Sequence, residues 1–212
     1  MSQLEVQAVA GKKSGFVIAG QNRSGSPAWF STDGRTWRPA VGLDGSVVGV
    51  AIVEDQFVAV GASGGQAAAW VSPLGDRWTK TSLADSAPVS AMTATSSGIV
   101  AVTSYVRWST DISGTGEARV WKSTDGVRWS QVDGKGLGHA FIVSLGGVTG
   151  GLISLGVQNS KPLIWSSPTG ANWARDDSSD DLHGVPPLVS NGRIVLIAVD
   201  GSTLICSGIG ST

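Results

Sequence analysis

Residues 29–37 read WFSTDGRTW, in which two tryptophans stand eight residues apart around a glycine. The same spacing recurs three times, so eight of the nine tryptophans in the 212-residue chain belong to one repeated pattern. The four pairs are Trp29/Trp37, Trp70/Trp78, Trp121/Trp129 and Trp165/Trp173. Successive first tryptophans are 41, 51 and 44 residues apart, and a further 40 residues lead to Ile205 in a degenerate fifth copy. Such periods are typical of blade-sized or solenoid repeats.

Each repeat contains four short stretches with the composition of β-strands, among them VVGVAIV at 47–53 and FVAVG at 57–61. The nearly continuous apolar stretches indicate strands that are covered on both faces, as in stacked sheets. We therefore predict an all-β fold, a β-propeller of five blades with about four antiparallel strands each and an incomplete last blade. The repeat units span approximately 4–41, 45–85, 88–133, 139–178 and 185–212, within a single domain 1–212. A β-sandwich of five hairpins is the alternative fold.

The segment between the paired tryptophans has the composition of a tight turn. In two repeats it reads SPLGD and SPTGA, with proline where a type I turn favours it and glycine where a bulge needs the left-handed conformation. A three-residue loop of this kind pairs Trp29 directly with Trp37, and the indoles then pack between neighbouring blades. Asp33 and Asp125, each two residues after a serine, are expected to accept hydrogen bonds from turn amides.

The stretches SxDGxxW at Ser31–Trp37 and Ser123–Trp129 resemble the Asp-box, or bacterial neuraminidase repeat, of sialidase-like β-propellers. Both are one residue shorter than the usual S-x-D-x-G-x-x-W pattern, and the other two repeats lack the aspartate. The resemblance implies a propeller architecture. It does not imply a particular activity, because Asp-boxes are folding elements of enzymes and non-enzymes alike. It also implies an extracellular or cell-surface location, since proteins with Asp-boxes are commonly exported.

Composition narrows the classes of partner. The formal net charge is −1, and the basic residues form no run, so no nucleic-acid partner is expected. The longest apolar stretches are too short to span a bilayer, and no signal peptide precedes the repeats, so no membrane insertion is expected. No Walker or H-E-x-x-H motif is present, and neither a cofactor nor a metal site is predicted.

The candidate ligand-binding residues lie in loops on the rim opposite the Asp-box turns. The third repeat carries nine extra residues between Val102 and Trp121, with aromatic and arginine side chains of the kind that recognise ligands. Two histidines fall in segments that connect blades. The complete set is Tyr105, Arg107, Trp108, Asp111, Glu117, Arg119, His139 and His183. The acidic stretch 176–181 either binds calcium or is a solvated loop, since its spacing matches no EF-hand.

Three functions are compatible with these features. The favoured one is a non-catalytic module that recognises a protein or a glycan. The alternative is a glycoside hydrolase or sialidase-like enzyme, although the three arginines of a sialidase are not evident because Arg35, Arg77 and Arg128 lie in the Asp-box turns. Glutamates are scarce, which disfavours a carboxylate pair for glycosidic cleavage. The third is a structural or assembly role, with a homo-oligomer formed through the incomplete blade.

Overall fold

The computed structural model describes residues 5–21, 28–105, 116–159, 161–176, 188–190, 193–200 and 203–209. Regular secondary structure in these ranges is entirely β-strand. No helix in the described ranges is long and apolar enough to cross a membrane.

The strands of the described residues form five antiparallel sheets. Sheet 1 contains β1 (Glu5–Lys12), β2 (Gly15–Gln21), β3 (Ala28–Ser31) and β4 (Arg38–Pro39). Sheet 2 contains β5 (Ser46–Val53), β6 (Gln56–Ser63), β7 (Gln66–Ser72) and β8 (Thr79–Ser82). Sheet 3 contains β9 (Val89–Thr95), β10 (Gly98–Thr103), β11 (Arg119–Ser123) and β12 (Ser130–Val132). Sheet 4 contains β13 (Phe141–Val148), β14 (Gly151–Gln158), β15 (Lys161–Ser167) and β16 (Ala174–Asp176). Sheet 5 contains β17 (Leu188–Ser190), β18 (Arg193–Asp200) and β19 (Thr203–Ile209).

Strands are hydrogen-bonded in the order in which they occur along the chain, so each repeat of the sequence is one sheet. Four sheets have four strands, and the described part of the last has three, as the incomplete fifth repeat predicted. The second strand of a repeat is buried on both faces, as in β6, where five consecutive residues are buried. This burial is the physical reason for the continuous apolar stretches in the sequence.

Contacts divide the chain into two compact units, Met1–Thr103 with Trp121–Ser130, and Ser104–Val120 with Gln131–Thr212. The division passes through sheet 3. The expectation of a single domain therefore stays a prediction.

In the first unit, sheets pack through two different faces. One face of a sheet carries the first tryptophan of the repeat, and we call it the Trp face. In sheet 2 this face contributes Phe57, Ala59 and Trp70 to one core cluster, which they share with Val17 and Ala19 of sheet 1. The opposite face of sheet 2 packs in the same way. Its residues Val58 and Val71 share a cluster with Ile99, while Val60 shares another with Ala101 and Trp121. The Trp faces of sheets 2 and 3 therefore each lie against the preceding sheet.

The turns between third and fourth strands confirm the predicted glycine conformation. Gly34, Gly75, Gly126 and Gly170 have φ angles of 71°, 86°, 73° and 80°. In each turn the serine that ends the third strand accepts a hydrogen bond from the glycine amide, for example Gly75 N to Ser72 Oγ at 2.8 Å. We call these the Ser–Gly turns. Asp33 Oδ1 accepts the amides of Arg35 and Thr36 at 2.8 and 2.7 Å, as the sequence predicted.

The predicted pairing of the two tryptophans is wrong. Trp29 lies opposite Pro39, and Trp70 lies opposite Lys80, so neither first tryptophan pairs with the second one of its repeat. The Ser–Gly turn is six residues long in all four sheets, including the two that lack the aspartate. In each turn the serine side chain occupies the glycine amide, which is then not free for the ladder of a short hairpin. The second tryptophan stays in this turn, where the Trp78 indole N–H donates to Gly75 O at 3.1 Å.

Candidate functional site

In every sheet the loops lie at two opposite ends of the strands. Links between first and second strands and the Ser–Gly turns lie at one end. Links between second and third strands lie at the other end, together with the crossover that leads to the next sheet. We call this second end of the strands the crossover edge. Polar side chains from the crossovers collect there within the first unit, and they form the candidate site.

A polar cluster surrounds Asp44, which lies in the crossover between β4 and β5. Its Oδ1 accepts the Trp70 indole N–H at 2.9 Å. Its Oδ2 lies 3.2 Å from Lys80 Nζ and accepts the Ser63 hydroxyl at 3.3 Å. Lys80 also donates to Ser63 Oγ. The cluster thus combines a carboxylate, an ammonium group and a hydroxyl, and we call it the Asp44 cluster.

The local fold explains why these side chains meet. Trp70 and Lys80 are direct cross-strand neighbours on β7 and β8, so their side chains leave the same face of sheet 2. Ser63 is the last residue of β6, at the crossover edge of that sheet. Leu43 is buried in the core cluster between sheets 1 and 2, and it fixes the crossover immediately before Asp44.

The electrostatics of the cluster keep the Asp44 carboxylate ionised. Partial burial raises the pKa of Asp44, but the hydrogen bonds from Trp70 and Lys80 and the charge of Lys80 outweigh it, so the pKa lies below its usual value. The Asp44 side chain is 56% exposed and that of Lys80 is 44% exposed. A solute can therefore reach both charged groups and exchange hydrogen bonds with them.

Asp85 occupies the corresponding place in the next crossover, but it has a different environment. It is buried, and it accepts hydrogen bonds from the Thr103 hydroxyl, the Trp121 indole N–H at 3.2 Å and the Ala87 amide at 3.1 Å. The two crossovers therefore contain the same interaction, in which an aspartate carboxylate accepts a hydrogen bond from a tryptophan indole of the following sheet. In the part of the chain that the structure describes, Asp44 contacts a lysine and is open to solvent, whereas Asp85 is buried.

The residues predicted for ligand binding are placed as follows. Tyr105 is partly exposed at 39%, and a Cβ on Gly116 would lie 3.5 Å from its ring, so the two ends of the long loop approach each other here. Glu117 and His139 are exposed, and Arg119 is half-buried at the start of β11. Arg107, Trp108, Asp111 and His183 lie outside the described residues. The ligand-binding role of the whole set stays a prediction.

Sequence reasoning missed Asp44 and Lys80. A signal was present, because a buried leucine is followed by an acidic residue in both crossovers, as Leu43-Asp44 and as Leu83 with Asp85. The described ranges contain no group of three histidine, cysteine, aspartate or glutamate residues that could hold a metal ion. In the acidic stretch, Asp176 ends β16 and is exposed, whereas 177–181 lie outside the described ranges.

Solved structures similar to this chain include the WD40 β-propeller domain of Doa1, with a TM-score of 0.57 and 13% identity over 93% of this chain and 63% of that one. The chain has a β-propeller fold. An ancestral GH74 enzyme matches with a TM-score of 0.61 and 16% identity, over 94% of this chain and 28% of the enzyme. An endo-arabinase from Bacteroides thetaiotaomicron matches with a TM-score of 0.55 and 13% identity, over the whole chain and 95% of the enzyme. No protein-family model and no curated protein matches the sequence.

These neighbours change the functional hypothesis. Glycoside hydrolases predominate among the similar structures, so the favoured prediction of a non-catalytic recognition module is contradicted and its enzymatic alternative is better supported. At identities of 10–16% the likeness itself shows the fold alone. The chain spans about a quarter of the GH74 enzyme and less than two thirds of the WD40 domain.

Proposed function

We propose that this chain acts on carbohydrate as a β-propeller glycoside hydrolase, with the Asp44 cluster as part of its substrate site. The observation that carries the proposal is the likeness to glycoside hydrolases over at least nine tenths of the chain. The exposed, ionised carboxylate at a crossover edge adds a group of the type that this chemistry needs.

Glycosidic cleavage passes through a transition state with positive charge on the sugar ring, and two carboxyl groups flank the bond that breaks. Asp44, held ionised by its neighbours, suits the carboxylate that stabilises this charge or activates water. Lys80 and Ser63 supply donors for sugar hydroxyl groups.

Two finer features belong to the same proposal. The kinship with sialidase-like Asp-box propellers is supported by Asp33 and Asp125, whose carboxylates each accept two turn amides. The long loop that contains Tyr105 and Glu117 is proposed to contact the glycan. An extracellular location is proposed as well, because polysaccharides are substrates found outside cells.

The test is hydrolysis by the purified chain of a polysaccharide panel that includes arabinan, β-glucan, xylan and galactan, with new reducing ends as the readout. We expect release from at least one substrate and a loss of activity of about 100-fold or more in Asp44→Asn, which keeps an acceptor for Trp70.

Asp85→Asn is the matched control, because it changes the corresponding carboxylate in a buried place. It is expected to lower thermal stability while leaving the specific activity of the folded fraction intact. No turnover on the panel, or equal activity losses in Asp44→Asn and Asp85→Asn, would contradict the proposed function.

A further inference from the structure

Trp70 holds the crossover that carries Asp44 through its ring as well as through its N–H group. The residue is 0% exposed and belongs to the core cluster that sheets 1 and 2 share. The crossover lies directly on the ring, since a Cβ added to Gly45 would meet Trp70 Cη2 at 2.9 Å and would lie closer still to Ala62 O. The main chain that follows Asp44 is therefore fixed against β6 and β7.

The two oxygens of the Asp44 carboxylate have partners of different kinds. Oδ1 accepts the indole N–H of Trp70 at 2.9 Å, and this donor belongs to a fully buried side chain. Oδ2 contacts Lys80 Nζ at 3.2 Å and the Ser63 hydroxyl at 3.3 Å, and the Lys80 side chain is 44% exposed. A solute can therefore take the place of Lys80 at Oδ2, whereas it cannot take the place of the buried indole at Oδ1.

Asp85 shows the same indole–carboxylate hydrogen bond in a purely structural setting. Its Oδ2 accepts both the Trp121 indole N–H and the Thr103 hydroxyl, and its Oδ1 accepts the Ala87 amide at 3.1 Å. Asp85 is itself buried, so both of its oxygens are occupied by protein donors inside the fold. This comparison separates what the indole does for packing from what it does for the Asp44 cluster.

We propose that Trp70 is the positioning residue of the Asp44 cluster, in which its indole N–H holds Oδ1 and leaves Oδ2 as the oxygen that acts on the glycan. The inference rests on the proposed function, because it divides the work of the carboxylate assigned there between its two oxygens. Trp70 acts through Asp44 and does not itself meet the substrate, since its ring is buried in the core.

Loss of the indole N–H has two consequences for Asp44. The carboxylate becomes free to rotate about its Cβ–Cγ bond and to turn both oxygens towards Lys80, and a misplacement of about 1 Å costs up to about 100-fold in rate. The pKa of Asp44 also rises, because a hydrogen bond that favours the ionised form is removed. The rate of the chemical step should therefore fall, and the acid limb of the pH–rate profile should move to higher pH.

The kinetic test is Trp70→Phe, which keeps an aromatic ring in the core and removes the N–H donor. Rates are measured on the polysaccharide of the panel that the wild-type chain hydrolyses fastest. We expect kcat to fall about tenfold or more and KM to change less than about threefold, since Lys80 and Ser63 stay in place to bind the sugar. The acid limb of the profile should move to higher pH.

Trp121→Phe is the matched control, because it removes the corresponding N–H from Asp85 in the next crossover. It is expected to lower thermal stability and to leave kcat and the pH–rate profile of the folded protein unchanged. Wild-type kinetics in Trp70→Phe overturn the inference. Equal changes of kcat and pH profile in the two variants overturn it as well, since the indole would then act through stability alone.

A pH titration of the full chain by NMR, following carboxyl ¹³C and indole ¹⁵N resonances, requires no turnover. We expect the Trp70 indole signal of the wild type to follow the ionisation of Asp44, this response to vanish in Asp44→Asn, and the pKa of Asp44 to be higher in Trp70→Phe. An indole signal that ignores the ionisation of Asp44 overturns the inference even in a chain that hydrolyses glycans, and the wild-type titration decides this point if Trp70→Phe does not fold. If no polysaccharide of the panel is cleaved, the proposed function fails and the role of Oδ2 fails with it, whereas the titration still decides whether Trp70 holds the carboxylate.

Discussion

Replacing glycine by alanine in three loops measures how much sheet packing depends on the Ser–Gly turns. Gly64, Gly34 and Gly75 all have positive φ angles, 60°, 71° and 86°, so each alanine carries the cost of the left-handed conformation, roughly 1–2 kcal/mol. Part of this cost is offset by the lower entropy of the unfolded chain, about 0.4–1 kcal/mol. Gly64→Ala has no atom within 4 Å of the new Cβ, so a net loss of about 1 kcal/mol is expected.

The neighbours of the new Cβ distinguish the other two variants. At Gly34 the nearest atom is at ordinary contact distance, 3.5 Å, so the loss should match that of Gly64→Ala. At Gly75 the Cβ would lie 2.4 Å from Val17 Cγ2, and overpacking adds about 1–3 kcal/mol. Gly75→Ala should therefore destabilise the protein by about 2–4 kcal/mol in total.

Urea unfolding followed by tryptophan fluorescence gives these free energies. Combining Gly75→Ala with Val17→Ala should recover at least about 1 kcal/mol relative to the sum of the single variants, because the smaller side chain removes the clash. The reasoning is refuted if Gly75→Ala lowers the free energy of unfolding no more than Gly64→Ala does. Val17 of sheet 1 would then not be in close contact with this turn.

Three further outcomes are expected in the same unfolding assay. Asp85→Ala should cost roughly 3 kcal/mol or more, because it strands the buried donors of Thr103 and Trp121; a loss below about 1 kcal/mol contradicts this. Ser154→Ala should stabilise by about 1 kcal/mol, since this buried hydroxyl has no hydrogen-bond partner among the described residues; destabilisation would reveal one. Turn amides lower the pKa of Asp33 from 3.8 to about 2, so stability should fall as pH drops from about 4 to 2; Asp33→Asn should flatten this dependence.

The sequence predicted the number and type of the sheets because the residues that repeat are those that determine local structure, namely strands and turns. Alternating and continuous apolar stretches mark the strands, and a glycine such as Gly75 marks the left-handed position of each turn. The register of the fourth strands was not predictable in this way. Side-chain hydrogen bonds, such as those of Ser31 and Asp33, widen the loop by an amount that composition does not reveal.

The candidate site was harder to predict because its members are distant in the sequence. Asp44 is separated by 26 residues from Trp70 and by 36 from Lys80, and Asp85 is also 36 residues from Trp121. No short motif reports such contacts. The crossover pattern is also irregular, with one residue between Leu83 and Asp85 and none in the preceding crossover.

The contribution of a carboxylate from one repeat to the indole of the next gives the chain a direction of assembly. A ribosome releases Asp44 before Trp70, and Asp85 before Trp121, so each acceptor is already present when the ring that needs it emerges. Sheets 2 and 3 can each dock on a finished predecessor, which shortens the time that their apolar faces spend in water during synthesis. If the chain were made in the opposite direction, each of these two indoles would emerge before the carboxylate that accepts its hydrogen bond.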